Sequence, residues 1–314
     1  MASSTSVVLA AMVANGAIAV LKFLGFLLTG SPAMLSETYH SISDTGNQIF
    51  LLVGLRFGAR EPTRAHPFGY GKAQFFYSFL VSVMLFGIAG WESAKHGYHA
   101  IVAGESVALH GTVTLANVTV PAVWVNYGVL LGGMLFEGYA FVKAFRATKA
   151  DIKRHGWAGF REAFRKTSNT TTLTALTEDT VALLGLALAF LGILGTQVTG
   201  NPVYDAIAAF LIGVLLMAFA VALAWENKRL LLGESLPESD ENRLRAIVEG
   251  WAGVSAVIDF RTVYFGPEEA IVTADVEFEA GLDTEAMDET ITAIEDELRR
   301  QEEAVSKVYI EPEY

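Results

Sequence analysis

The sequence predicts two parts of different fold class, an all-α bundle of six transmembrane helices and a small α+β domain after it. Of the 314 residues, 52% are hydrophobic and 18% are charged, and the mean hydropathy of +0.40 exceeds what the core of a water-soluble domain requires. Because the apolar surplus has to face lipid, we expect an integral membrane protein.

The six predicted spans are apolar stretches, each long enough for the roughly 20 residues that a helix needs to cross a bilayer. The first is not expected to be a cleavable signal peptide, because Ser3 to Ser6 supplies no positive charge and the apolar run is too long. The spans lie near residues 7–29, 33–57, 75–100, 121–145, 171–196 and 203–225.

Charge divides the chain at Gly233, where the apolar stretches end. The net charge is -12, and residues 234–314 alone hold 22 acidic and 6 basic residues, which is a net charge of -16. We therefore predict a transmembrane domain over 1–233 and a cytoplasmic domain over 234–314. An acidic tail of this kind excludes nucleic acid as a partner. The chain has no cysteine, which excludes disulfides and thiolate metal sites.

Basic residues predict the orientation. The connections at 30–32 and 197–202 carry none, whereas the connections after the second and fourth spans are basic. The positive-inside rule then places both termini in the cytoplasm, and we expect the cell (inner) membrane as the location. The basic residues are Arg56, Arg60, Arg64, Lys72, Lys143, Arg146, Lys149, Lys153, Arg154, Arg161, Arg165 and Lys166.

The acidic tail alternates between helix and strand patterns. Hydrophobic and polar residues alternate over 270–279, which is typical of a sheet with one buried face, and Ser239 is the predicted cap of the first helix. The order αββαβ indicates a two-layer α+β domain. The predicted elements are a helix over 237–251, strands over 254–265 and 270–279, a helix over 284–301 and a strand over 305–310.

Few ionisable residues lie inside the predicted spans, where such groups are costly and usually functional. His40 and Asp44 are four residues apart and share one helical face, and Asn47 lies three residues further along it. Asp179 lies deep in the fifth span. If the second and fifth helices are neighbours, neutral His40 with ionised Asp44 and Asp179 forms a site of charge -2, which matches a divalent cation.

Structural roles are the alternative for these residues. An intramembrane histidine can simply bond to a neighbouring helix, and the pair Glu178 and Asp179 could form a structural ion pair with Lys22. Glu137 and Lys22 fit an ion path, charge balance or helix packing equally well. The sequence shows no serine or cysteine nucleophile with a histidine base and no phosphate loop, so we expect no enzyme.

Five motifs in a fixed order resemble the cation diffusion facilitator family. They are HSISD from His40, HPFGYGKAQ from His66, the acidic residue in the fifth span, NPVYDAIAAFLIG from Asn201 and LLGES from Leu231. The resemblance implies six transmembrane helices, a cytoplasmic ferredoxin-like domain of αββαβ order, a homodimer, and export of zinc or related metals against protons. The Glu178–Asp179 pair, after a basic stretch, resembles the branch that includes the animal mitochondrial zinc transporter.

By this resemblance His40 and Asp44 fall on the two ligands of the second helix, and Asp179 on one ligand of the fifth. The family usually has His or Asp four residues before Asp179, where this chain has Ala175.

Glu178 is the obvious substitute for the ligand missing at Ala175, but neighbouring helical residues point about 100° apart, so Glu178 needs a local distortion to bind. Asn47 or a water could complete the site instead. The predicted metal-binding residues are His40, Asp44, Asp179, Asn47 and Glu178.

Two accessory sites of the family are not expected here. Tyr70 and Thr63 stand where the connection after the second span would hold further ligands, so we interpret that connection as structural. No histidine follows His155, so the tail lacks a histidine-rich metal site and the dimer needs other contacts.

The predicted activity is proton-coupled efflux of a divalent cation by alternating access, with zinc first and manganese, iron or cobalt as alternatives. His40 must be neutral to bind a metal, so metal and proton compete for one nitrogen. No prosthetic group is expected. The rival hypothesis is a membrane metal sensor or regulatory subunit that transports nothing, favoured by Ala175.

Overall fold

The computed structural model describes residues 2–103, 112–115, 118–160, 163, 170–267 and 269–313. Arg161, Arg165 and Lys166 of the orientation argument lie outside these ranges. The chain forms two compact units, one of residues up to 52 with 78–225, the other of 53–77 with 226–314. The second unit thus contains the connection after the second helix together with the acidic tail.

The long helices follow the predicted spans. The third is continuous through a π-helical segment, and a β-hairpin that the sequence did not predict precedes the fourth. The bounds are α1 Ala2–Thr29, α2 Pro32–Gly58, α3 Lys72–Met84, the π-helix Leu85–Gly90, α4 Trp91–Ala103, β1 Thr112–Leu115, β2 Val118–Pro121, α5 Val123–His155, α6 Thr170–Thr199 and α7 Val203–Leu232.

Within the described ranges, five helical stretches are long and apolar enough to cross a membrane. Helix α2 is not among them, although its 27 residues would span about 40 Å at 1.5 Å per residue. Its polar run from Ser36 to Gln48 lowers its hydropathy, and this run carries the predicted metal ligands. The second predicted span, over 33–57, therefore stays a prediction. The five stretches are Met12–Thr29, Lys72–Ala103, Val123–Lys153, Ala175–Thr199 and Val203–Leu232.

The first unit has an apolar core and an apolar surface. Met34, Leu130 and Leu186, from α2, α5 and α6, are completely buried in one cluster. Leu135 and Val198 are each 77% exposed, as lipid-facing side chains are expected to be. This arrangement identifies an integral membrane protein.

The tail has the predicted αββαβ order. Strand β3 pairs antiparallel with β4, and β4 pairs parallel with β5. Leu244, Val248, Ile294 and Leu298 of the two helices are fully buried against the sheet. The elements are α8 Glu238–Glu249, β3 Val254–Gly266, β4 Glu269–Phe278, α9 Thr284–Gln301 and β5 Val305–Glu313.

The predicted cap at Ser239 is wrong. Helix α8 begins at Glu238, with Pro237 at the capping position and no side-chain cap. Three carboxylates in the first turn, on Glu238, Asp240 and Glu241, favour this helix end through the helix dipole instead.

In the second unit, the connection between α2 and α3 packs on the tail sheet. The rings of Phe68 and Phe265 lie 5.2 Å apart, the Lys72 ammonium lies 4.6 Å from the Phe265 ring, and the Lys307 ammonium lies 5.6 Å from the Phe68 ring. These aromatic and cation–π contacts fix the connection on the ends of β3 and β5.

Candidate metal centre

Helix α2 brings His40 and Asp44 together one turn apart. His40 Nε2 lies 3.5 Å from Asp44 Oδ2, and the two side chains are only 3% and 14% exposed. Neither ring nitrogen of His40 has a hydrogen-bond partner among the described residues. A buried imidazole without a partner is unusual in a folded protein, which makes both nitrogens available to a ligand.

A second pair joins α2 to α6. Asn47 Nδ2 donates a hydrogen bond to Glu178 Oε1 at 3.3 Å. The two helices are therefore neighbours, which is the condition on which the predicted site depended. The bond also shows how Glu178 reaches α2 although its direction on α6 differs from that of Ala175.

Two further carboxylates lie near the His40–Asp44 pair. Asp179 of α6 and Glu137 of α5 are both close enough to interact electrostatically with Asp44. Carboxylates of three helices are thus within electrostatic range of Asp44. Among the residues described, however, no group of three or more His, Asp or Glu side chains is arranged to hold a metal ion. The predicted residues meet as pairs.

A buried ion pair borders this cluster. Lys22 Nζ lies 2.7 Å from Glu37 Oε2, and the side chains are 3% and 0% exposed. The sequence had suggested Glu178 and Asp179 as structural partners of Lys22, whereas the ion-pair partner is Glu37. Glu37 was not predicted from the sequence, although it lies three residues before His40 and therefore on the same face of α2, a spacing that could have indicated it.

The connection after α2 has a hydrogen-bonded structure of its own. Thr63 Oγ1 and Tyr70 Oη lie 3.1 Å apart, and the rings of His66 and Tyr70 lie 4.4 Å apart. The two residues that stand where the family would place further ligands thus bond to each other. This geometry favours the structural interpretation of the connection.

Apolar helices around a buried imidazole and several carboxylates define a class, the membrane proteins that handle cations inside a helix bundle. The chain belongs to the cation efflux family, because the profile of the cation efflux transmembrane domain matches residues 8–232. This is a family of transporters and not of enzymes.

Three relatives carry informative names. The human mitochondrial proton-coupled zinc antiporter SLC30A9 is 28% identical over 87% of this chain and 46% of its own length. Metal tolerance protein C4 of Arabidopsis thaliana is 26% identical over 82% of this chain and 53% of its own. Magnetosome protein MamM of Paramagnetospirillum magneticum is 23% identical over 81% of this chain and 71% of its own. The chain thus spans about half the length of the first two.

Proposed function

We propose that this protein exports a divalent transition-metal cation in exchange for protons, by alternating access. The observation that carries the proposal is the buried His40–Asp44 pair, whose imidazole nitrogens have no partner among the described residues and whose carboxylate is within electrostatic range of Asp179. In a protein of the cation efflux family, such a pair at membrane depth is expected to hold the transported ion.

The ion binds to His40, Asp44 and Asp179, with Asn47 or Glu178 as a further ligand. The predicted residues meet as two pairs, so binding of one ion by His40, Asp44 and Asp179 requires Asp179 of α6 to move towards α2. Glu178 already contacts α2 through its hydrogen bond with Asn47. A site whose ligands close around the ion is what alternating access needs, since a preassembled cage would release the ion slowly.

Zinc is the first candidate for the ion. An imidazole with carboxylates suits zinc, and iron, cobalt and manganese follow as the share of oxygen ligands rises. The relative with the printed name of a zinc antiporter supports the same choice.

Proton exchange follows from the ligands. His40 binds a metal only when neutral, so a proton bound to its ring must leave before the cation enters. The buried carboxylates near the site also favour exchange of protons for the metal cation, because a carboxylate left without a balancing positive charge inside the membrane is costly.

The wider architecture is part of the proposal. We infer six transmembrane helices over 1–233 with α2 as the second, and a ferredoxin-like domain over 234–314. Both termini lie in the cytoplasm, and the protein is a homodimer in the cell (inner) membrane. The basic connections and the family support this arrangement.

The alternative function is a membrane metal sensor or regulatory subunit. Ala175, in place of a ligand, favours it, because the described site has one fewer donor on α6 than the family pattern. A sensor binds metal and moves none.

Flux separates the two functions. The purified protein is reconstituted into liposomes with an imposed pH gradient, and uptake of zinc, manganese, iron and cobalt is measured with and without a protonophore. Uptake that collapses with the gradient is expected for an exporter, and the fastest ion identifies the substrate. Binding of metal without uptake of any of the four ions would establish the sensor.

A further inference from the structure

Lys22 and Glu37 form an ion pair that is almost completely removed from solvent, and the proposed transport cycle does not use it. Their atoms lie 2.7 Å apart, with side chains 3% and 0% exposed. A buried ion pair is seldom a gain in stability over apolar side chains of the same volume, because two charges lose their hydration. Stability alone therefore does not explain why the chain buries this pair.

Glu37 is placed to bind the same cation as His40. The two residues are three apart on α2, and therefore project from adjacent turns of one face. Glu37 Oε1 is buried without a hydrogen-bond partner among the described residues, as are both ring nitrogens of His40. An unpartnered carboxylate oxygen and an unpartnered imidazole nitrogen are groups of the types that bind zinc.

Helix α6 holds Glu37 in this position. A Cβ atom added at Gly185 would lie only 2.6 Å from Glu37 Oε1, so the carboxylate rests directly on the backbone of α6. Any larger residue at 185 would push the carboxylate away. Glycine at position 185 therefore leaves the space that the Glu37 carboxylate occupies.

The ammonium of Lys22 balances the negative charge of Glu37. Its ammonium contacts the other oxygen, Glu37 Oε2, and it also lies within electrostatic range of His40, Asp44 and Glu137. The positive charge of Lys22 repels a divalent cation, so it weakens the binding of such a cation by Glu37 and His40.

We propose that Lys22 is a tethered cation that occupies Glu37, so that the transported ion is not captured between Glu37 and His40. Lys22 is thus a positioning residue. It contacts Glu37 and restricts the ion to His40 and Asp44, which lie on the same face of α2. This inference rests on the proposed export function, since it concerns the release of the same ion.

The test combines zinc binding and zinc flux in K22Q, E37Q and the double variant K22Q/E37Q. The matched control is K95Q, since Lys95 forms an ion pair with Glu92 at 2.6 Å whose side chains are 44% and 39% exposed. Zn²⁺ affinity is measured on the full-length protein in detergent by competition with a fluorescent chelator, and flux is measured in liposomes.

We expect K22Q to bind zinc at least tenfold more tightly and to transport it at least tenfold more slowly. E37Q, which leaves Lys22 unbalanced beside His40, should bind at least tenfold more weakly. The double variant should return within threefold of native affinity and recover most of the flux, and K95Q should match the native protein.

Unchanged affinity in both single variants would overturn the inference and leave the pair a structural one. So would a double variant that binds like K22Q. If K22Q does not give a monodisperse protein, E37Q and the double variant carry the same comparison. Native protein that moves no cation while the affinities follow the expected pattern would contradict the export function and support the role of Lys22 in binding.

Discussion

At the scale of single residues, the proposed export depends on ionisable side chains that are costly to bury. A charged aspartate at the centre of a membrane helix costs about 2.5–3.5 kcal/mol on insertion scales. Asp44 is buried in α2 beside a histidine whose nitrogens have no protein partner in the described structure. In the proposed function, the transported cation would supply the missing interactions of both residues.

Replacement of Asp44 by alanine should abolish metal flux and leave folding intact. The variant loses the carboxylate that offsets the charge of the ion, and it also loses a buried charge, so its thermal stability should be equal or higher. Flux in liposomes and the melting temperature in detergent check the two parts. Normal transport by Asp44→Ala would contradict the assignment of the ligands.

Replacement of Asn47 by alanine should have a smaller effect. Its hydrogen bond to Glu178 is half-buried and 3.3 Å long, and such a bond contributes about 0.5–1.5 kcal/mol. We therefore expect metal affinity to fall by roughly threefold to tenfold, since 1.4 kcal/mol corresponds to a factor of ten. An effect as large as that of Asp44→Ala would make Asn47 a direct ligand.

At the scale of helices, side chains of α2 that reach α6 connect the two helices at the candidate site. A Cβ atom at Gly185 would meet Glu37, whereas one at Gly132 of α5 meets nothing within 4 Å. Gly185→Ala should cost about 1–3 kcal/mol through overpacking and slow transport, while the control Gly132→Ala should be neutral or stabilising. Thermal unfolding and flux of both variants measure this difference, and equal behaviour would contradict the described packing.

A substitution in the connection after α2 is expected to leave metal transport unchanged. His66 is exposed, its ring packs at a tilt against the Tyr70 ring, and the Tyr70 and Thr63 hydroxyl groups are hydrogen-bonded. His66→Ala should keep flux within twofold of native, because a structural connection contributes no ligand. A large loss of zinc affinity in this variant would instead reveal a metal site in the connection.

Elements of the tail were predictable because their periodicity is strong. The helix over 284–301 coincides with α9, and both strands of the β3–β4 pair fall within a residue of their predicted ends. The predicted cap at Ser239 is wrong because α8 begins at Glu238, so Ser239 lies inside the first turn and not at the capping position. The hairpin of β1 and β2 was missed because its strands are only 4 residues long.

The site was predictable only in part. The i, i+4 spacing of His40 and Asp44 fixes their contact within one helix. The bond between Asn47 and Glu178 depends on how α2 and α6 pack, which no local pattern encodes. The same holds for Lys22 and Glu37, which lie 15 residues apart on different helices.

At the scale of the whole molecule, the proposed dimer should not depend on metal. The sequence has no histidine after His155 and no cysteine, so the tail has no strong transition-metal ligands beyond carboxylates. We expect the mass of the detergent-solubilised particle to stay that of a dimer when EDTA removes metal. Light scattering after chromatography measures this, and dissociation into monomers would reveal a metal at the interface.

The most direct test of the account is zinc uptake into liposomes driven by a pH gradient, for the native protein, Asp179→Ala and the surface control Asp288→Ala. We predict gradient-dependent uptake by the native protein and the control, and none by Asp179→Ala. Uptake by Asp179→Ala equal to that of the native protein would contradict the proposed ion site.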